Sequence, residues 1–203
     1  MYVGVYMKLS DYVNSVGFGY NLSSKEVNDK CFKNYEYKML TITSINSGFI
    51  YSNELKDYIS DMVINEKFLT KVGDIVVCCK QPYNMVLIKS EKDENILVNS
   101  NFIILRDIKI DRNYLYNYLL LNRGKIIEKK RKQQEKVSKV NENLSKPDIE
   151  DLEIVIPKKQ NMNKLARILR EINERQSLYD SLINNDKELI KSFLEKEGVI
   201  NND

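Results

Sequence analysis

Two periodicities divide this chain near Pro157. Up to that point, short apolar runs alternate with polar breaks. Residues 37–45, 74–79 and 101–105 have the length and the β-branched and aromatic content of strands. Residues 114–121, Tyr-Leu-Tyr-Asn-Tyr-Leu-Leu-Leu, read as a short buried helix, with Asp111 as its N-cap and Gly124 near its end. Gly73-Asp74 reads as a turn into a strand and Ser47-Gly48 as a turn out of one. The pattern predicts an α+β domain over residues 1–158.

Beyond Pro157, Leu165, Ile168, Leu169, Ile172, Tyr179, Leu182, Ile183, Leu189, Ile190 and Phe193 recur at three- and four-residue spacing. With Leu165 at heptad position a, Ile168 and Leu169 fall at d and e, and Ile172, Tyr179 and Phe193 return to a. Arg175, Gln176 and Asp186 interrupt the seam. No Gly or Pro lies between Asn161 and Glu197, so residues 159–203 are expected to hold one long helix of roughly 50 Å, with Gly198 as its stop. Its stripe either folds back on the domain or meets a partner. Pairing with a second helix is the favoured outcome, because nothing between Leu165 and Phe193 provides a turn.

Composition narrows the function classes. No stretch approaches the roughly 18 uncharged apolar residues of a membrane span, and the first residues lack the pattern of an export signal, so a cytoplasmic location without membrane contact is expected. There is no histidine, and Cys31, Cys78 and Cys79 sit in no metal-ligand spacing. The cysteines read as reduced structural thiols, and neither a metal nor a cofactor is expected. The net charge of +3 conceals a segregation: residues 123–139 hold eight cations against two acids, which leaves the rest of the chain acidic overall. Such a stretch is an electrostatic footprint for a polyanion, or else a solvated helix face supported by i,i+4 pairs such as Glu128 with Lys132.

Catalysis finds little support. Gln81-Pro82-Tyr83 has one proline and a Gln where amino-methyltransferases carry Asp or Asn, two prolines and an aromatic, and no Gly-rich methyl-donor turn follows a strand. Pro147-Asp148 is not followed by the Glu-x-Lys array of many nucleases.

The sequential set of elements resembles one repeat of the DNA specificity subunit of type I restriction-modification systems. It runs from Leu9-Ser10-Asp11-Tyr12-Val13 with Gly17, through Val72-Gly73-Asp74-Ile75-Val76-Val77, to Asn99-Ser100-Asn101-Phe102-Ile103-Ile104-Leu105-Arg106. The helix 114–121 follows, then Leu144, Ile149, Leu152 and Ile154-Val155-Ile156-Pro157, and Leu165-Ala166-Arg167-Ile168-Leu169 opens the final helix. The resemblance implies a non-catalytic subunit that recognises double-stranded DNA while separate modification and restriction subunits act on it. Family members commonly carry two recognition domains and two spacer helices, and one of each is found here. A half-length form is therefore expected, its helices forming an antiparallel coiled coil in a homodimer or with another half-length chain. A two-fold pair would read two inverted half-sites around an unread spacer.

Base edges are read by amides, Arg, Lys and hydroxyls. The turn Lys80-Gln81-Pro82-Tyr83-Asn84 offers an amide pair and an aromatic, making Lys80, Gln81, Tyr83 and Asn84 the first candidates for base reading. Lys129, Lys130, Arg131, Lys132, Gln133, Gln134 and Lys136, with Lys139 beyond, combine phosphate-contacting cations with amides. A second hypothesis is an interaction or inhibitor protein that mimics a specificity subunit without binding DNA. Selection from random duplex DNA separates the two.

Overall fold

The structure is a computed structural model that describes residues 5–22, 35–46, 48–134, 143–157 and 159–197. Cys31, Lys136, Lys139 and Gly198 lie outside the described residues, as does Ser47 of the expected turn. The elements follow the order β1 (Val5–Lys8), β2 (Val13–Phe18), β3 (Tyr35–Met39), β4 (Ile45–Asn46), β5 (Phe49–Ile50), β6 (Lys56–Ser60), β7 (Ile75–Cys78), β8 (Met85–Leu87) and β9 (Phe102–Ile108). Next come α1 (Arg112–Leu121), α2 (Arg123–Gln134), α3 (Lys146–Glu150), β10 (Glu153–Ile156) and α4 (Lys159–Lys196). Two compact units result, Met1–Lys158 and Lys159–Asp203.

The first unit is mixed α and β, built on a four-stranded antiparallel sheet of order β2-β9-β7-β8. Every residue of Ile75-Val76-Val77-Cys78 is buried, as are Met85-Val86-Leu87. The reason is that both faces of the sheet are covered. Because side chains alternate along a strand, Ile75, Val77, Ile103 and Leu105 join a core with Leu115, Leu119 and Ile126 on the helical side. Val76, Cys78, Phe102 and Ile104 enter a second core with Leu40, Ile45 and Val98 on the other side. A continuous apolar run rather than alternation is what such a strand requires.

The run 37–45 is not one strand: β3 ends at Met39, and β4 begins at Ile45 after a turn in which Ser44 Oγ donates to the Thr41 carbonyl at 2.8 Å. Gly48 and Gly73 adopt φ of +83° and +96°, a backbone that suits glycine in turns. At Gly73 a Cβ would also strike the Arg112 guanidinium. Beside it, Asp74 receives Arg106 Nε at 2.9 Å and an Nη2 at 2.6 Å, and the same Nη2 donates to the Leu69 carbonyl at 2.7 Å. This bidentate clamp fastens the start of β7 to β9, with Asp74 almost fully buried.

Asp111 caps α1 by accepting from the Tyr114 amide at 2.8 Å. The helix ends at Asn122, whose amide returns to the Tyr118 carbonyl, so Gly124 lies inside α2 rather than at the end of α1. The Ser145 side chain and Asp148 form a capping box that starts α3. β10 then pairs antiparallel with β1, Val5 opposite Ile156. Cys78 and Cys79 are buried free thiols, and burial pushes the Cys79 thiol up to about 12.

The second unit is α4. Ile168, Ile172, Tyr179, Leu182, Ile183, Leu189, Ile190 and Phe193 along it are 45–71% exposed, and Leu178 joins them. No described helix is long and apolar enough to cross a membrane.

Candidate nucleic-acid interface

The hairpin turn between β7 and β8 is closed by the Tyr83 amide donating to the Lys80 carbonyl at 2.8 Å, and the Gln81–Pro82 bond within it is cis. Lys80 and Gln81 are exposed at its tip. Tyr83 is not: φ of +57° turns its ring inward, and it is 0% exposed within the helical-side core. The aromatic expected to face bases instead fills the fold, because a short apolar hairpin on a two-sided sheet needs a large side chain beneath its turn. Asn84 is also engaged, its Nδ2 donating to the Ile45 carbonyl at 3.1 Å and its Oδ1 accepting from Arg123 Nη1 at 3.3 Å.

That last bond matters for the arrangement. It joins the turn to the first residue of α2, while the Leu144 amide, donating to the Cys79 carbonyl at 2.8 Å, fastens the segment before α3 to the end of β7. The two candidate segments are thus brought together at one end, and α2 then carries its cations away, reaching Lys132 roughly 14 Å along the helix axis.

On α2, Ile126 is buried and holds the helix to the core. One turn later, on the same side, Lys130 is only 13% exposed and its Nζ lies 2.6 Å from Asp148 Oδ2. Lys130 therefore fastens α2 to α3 instead of facing solvent as expected. The helical period explains the outcome, since positions 126 and 130 stack on one face. Lys125, Lys129, Arg131 and Lys132 are exposed, Lys132 with an i,i+4 ion pair to Glu128 at 2.6 Å. Gln133 and Gln134 close the helix.

Two concavities flank these elements. A cleft of about 500 Å³ has Lys125 and Lys129 on one wall and Asp151 and Glu153 on the other, over Leu119 and Ile126. Asp151 is ion-paired with Lys8 at 2.7 Å, which holds its carboxyl below the usual range. A smaller groove of about 180 Å³ lies on the opposite face of the sheet, between β2, β9 and the single turn Glu66–Phe68. Among the described residues, no group of three or more His, Cys, Asp or Glu is placed to hold a metal ion. Arg123 and Lys125 belong to the basic stretch read from the sequence but not to its contact candidates, and the groove was not read at all; Gly17, a glycine inside a strand, was the available signal for it.

The model of the family described as Type I restriction modification DNA specificity domain matches residues 6–189, from β1 into α4. The chain belongs to this family. Solved structures agree in fold. A chain from work on complex assembly and conformational transition of the type I R-M system aligns over 92% of this chain at 13% identity and a TM-score of 0.58. The HsdS subunit from Thermoanaerobacter tengcongensis aligns over 95% at 12% identity and a TM-score of 0.53. The alignments cover 43% and 48% of those chains, so this specificity-domain chain spans under half the length of the solved relatives. No curated protein matches it.

Proposed function

We propose that this chain is a DNA-recognition subunit of a type I restriction-modification system, carrying one target-recognition domain (1–158) and one spacer helix (159–203). The observation that carries the reading is the uninterrupted family match from β1 into α4. The subunit is non-catalytic: it selects the site in the cytoplasm, and separate modification and restriction subunits perform the chemistry. Lys80 and Gln81 at the hairpin tip, with Lys129, Arg131 and Lys132 on α2, supply exposed groups suited to base edges and phosphates.

The exposed apolar positions of α4 support pairing with a second copy, the two helices antiparallel in a coiled coil. Such a pair is two-fold symmetric, and its target is two inverted half-sites whose separation the helix sets. The test is selection from random duplex DNA with the modification subunit present. An enriched inverted bipartite sequence is the expected result, and absence of any enrichment overturns the reading.

A further inference from the structure

The groove on the face of the sheet remote from α2 has an unexplained glycine. Gly17 sits inside β2, paired with Ile104 of β9, where glycine weakens a strand. Its φ lies outside the left-handed region, and a Cβ built there meets no atom within 4 Å. Gly19, two residues on, is different: a Cβ there would collide with the backbone of Val98 and Asn99. Packing thus accounts for Gly19 and leaves the absence of a side chain at Gly17 without a purpose inside the protein. Glycine in a strand also marks places where a ligand approaches closely.

The surroundings of Gly17 specify what would approach. Ser15, Phe18, Lys67, Phe68 and Arg106 line the groove, and no carboxylate is among its lining residues. Lys67 Nζ stands 4.8 Å from the centroid of the Phe68 ring, Phe18 is 44% exposed, and the Arg106 guanidinium is held in place by Asp74. Lys67 and the Ser15 hydroxyl suit an anion, Arg106 being already paired with Asp74, and exposed aromatic carbon suits an apolar ring or sugar. Size sets the limit. About 180 Å³ is the room of about six water molecules at roughly 30 Å³ each, well under the roughly 300–1,000 Å³ of pockets for drug-sized ligands. The larger cleft beside α2 carries both signs of charge, Lys125 and Lys129 with Asp151 and Glu153, so its lining does not single out an anion.

We propose that this groove seats one phosphodiester and its deoxyribose from a bound DNA strand, the phosphate at Lys67 and Ser15 and the sugar over Gly17 against Phe18. The inference rests on the DNA-recognition reading and adds a contact on the opposite face of the sheet from α2, separable from it by mutation.

Gly17→Val is the direct test, because a Cβ at this position meets no atom within 4 Å and a β-branched residue beside Ile104 suits a strand while occupying the groove. The unaltered chain, Gly17→Val and Lys67→Ala are compared for binding to a mixed-sequence duplex across a salt series, with thermal melts alongside. Gly17→Val is expected to melt no lower than the parent, and each variant should reduce the log-log salt slope by about 0.9, the share of one phosphate. The double variant should lose no more than either single change. Binding by the unaltered chain with a slope that neither substitution alters overturns the groove alone. No binding by the unaltered chain overturns the DNA reading and the groove with it. Loss of assembly with the modification subunit at an unchanged DNA slope assigns the groove to a protein, which also overturns the proposal. Lys67 is exposed, so its variant decides the matter if Gly17→Val fails to fold.

Discussion

Lys130→Met separates a structural cation from a DNA-contacting one. Its Nζ lies 2.6 Å from Asp148, and the two side chains are 13% and 15% exposed. Removing one partner of a buried pair costs about 3–5 kcal/mol where nothing else satisfies the remaining charge. Here Asp148 keeps the Ser145 amide at 2.8 Å and the Ser145 hydroxyl at 2.5 Å, so a loss of about 2–3 kcal/mol is expected. At roughly 2–4 °C per kcal/mol, Tm should fall by roughly 4–12 °C at pH 7. Adding Asp148→Asn removes the stranded charge and should recover part of that loss. Acid sensitivity gives a second readout. Burial pushes the Asp148 carboxyl up, but hydrogen bonds from Lys130 and Ser145, with the Lys130 charge, outweigh it and leave the folded value low. A lowered folded value means the stabilisation is complete above the ordinary carboxylate range, near about pH 4, and lost as pH falls through the folded value. That acid-dependent loss should shrink in Lys130→Met. Thermal melts from pH 3 to 7 and a DNA salt titration test both points. Stability within about 0.5 kcal/mol of the parent, with a salt slope lower by about 0.9, would refute the structural role and return Lys130 to the phosphate contacts.

Further outcomes follow from other parts of the structure. Gly73→Ala should destabilise by about 1–3 kcal/mol in urea unfolding, because φ of +96° opposes a Cβ whether or not the Arg112 guanidinium swings aside; a neutral change refutes this account of the turn. Leu169→Asp with Ile183→Asp should leave a folded monomer in sedimentation, whereas a persistent dimer places the interface away from the α4 stripe. Lys129→Ala with Lys132→Ala should lower the DNA salt slope by up to roughly 1.8, and an unchanged slope makes that face a solvated one. The Cys79 thiol, pushed up to about 12 by burial, should resist a thiol reagent at pH 8 until the protein unfolds; rapid labelling of the native chain at this residue refutes its burial.

What the sequence reveals depends on the range of the interaction that fixes each feature. The cap at Asp111 and the turn at Gly73 are local and were legible. The division of 37–45 into two strands was not, because Ser44 bonds to Thr41 in a turn that hydrophobic pattern alone does not mark. Tyr83 and Lys130 looked like surface groups by residue type. A two-sided sheet draws the first inward, and the stacking of position 130 above Ile126 draws in the second, onto an acid 18 residues further along the chain. The groove joins β2 to β9 and to the Glu66–Phe68 turn, and only the tertiary fold assembles it.

The ladder between β1 and β10 has one more consequence. Val5 sits opposite Ile156, so the chain enters and leaves this unit at neighbouring points on a single pair of strands. A module with adjacent ends can be inserted into a host loop, exchanged between proteins or duplicated in tandem without disturbing its interior.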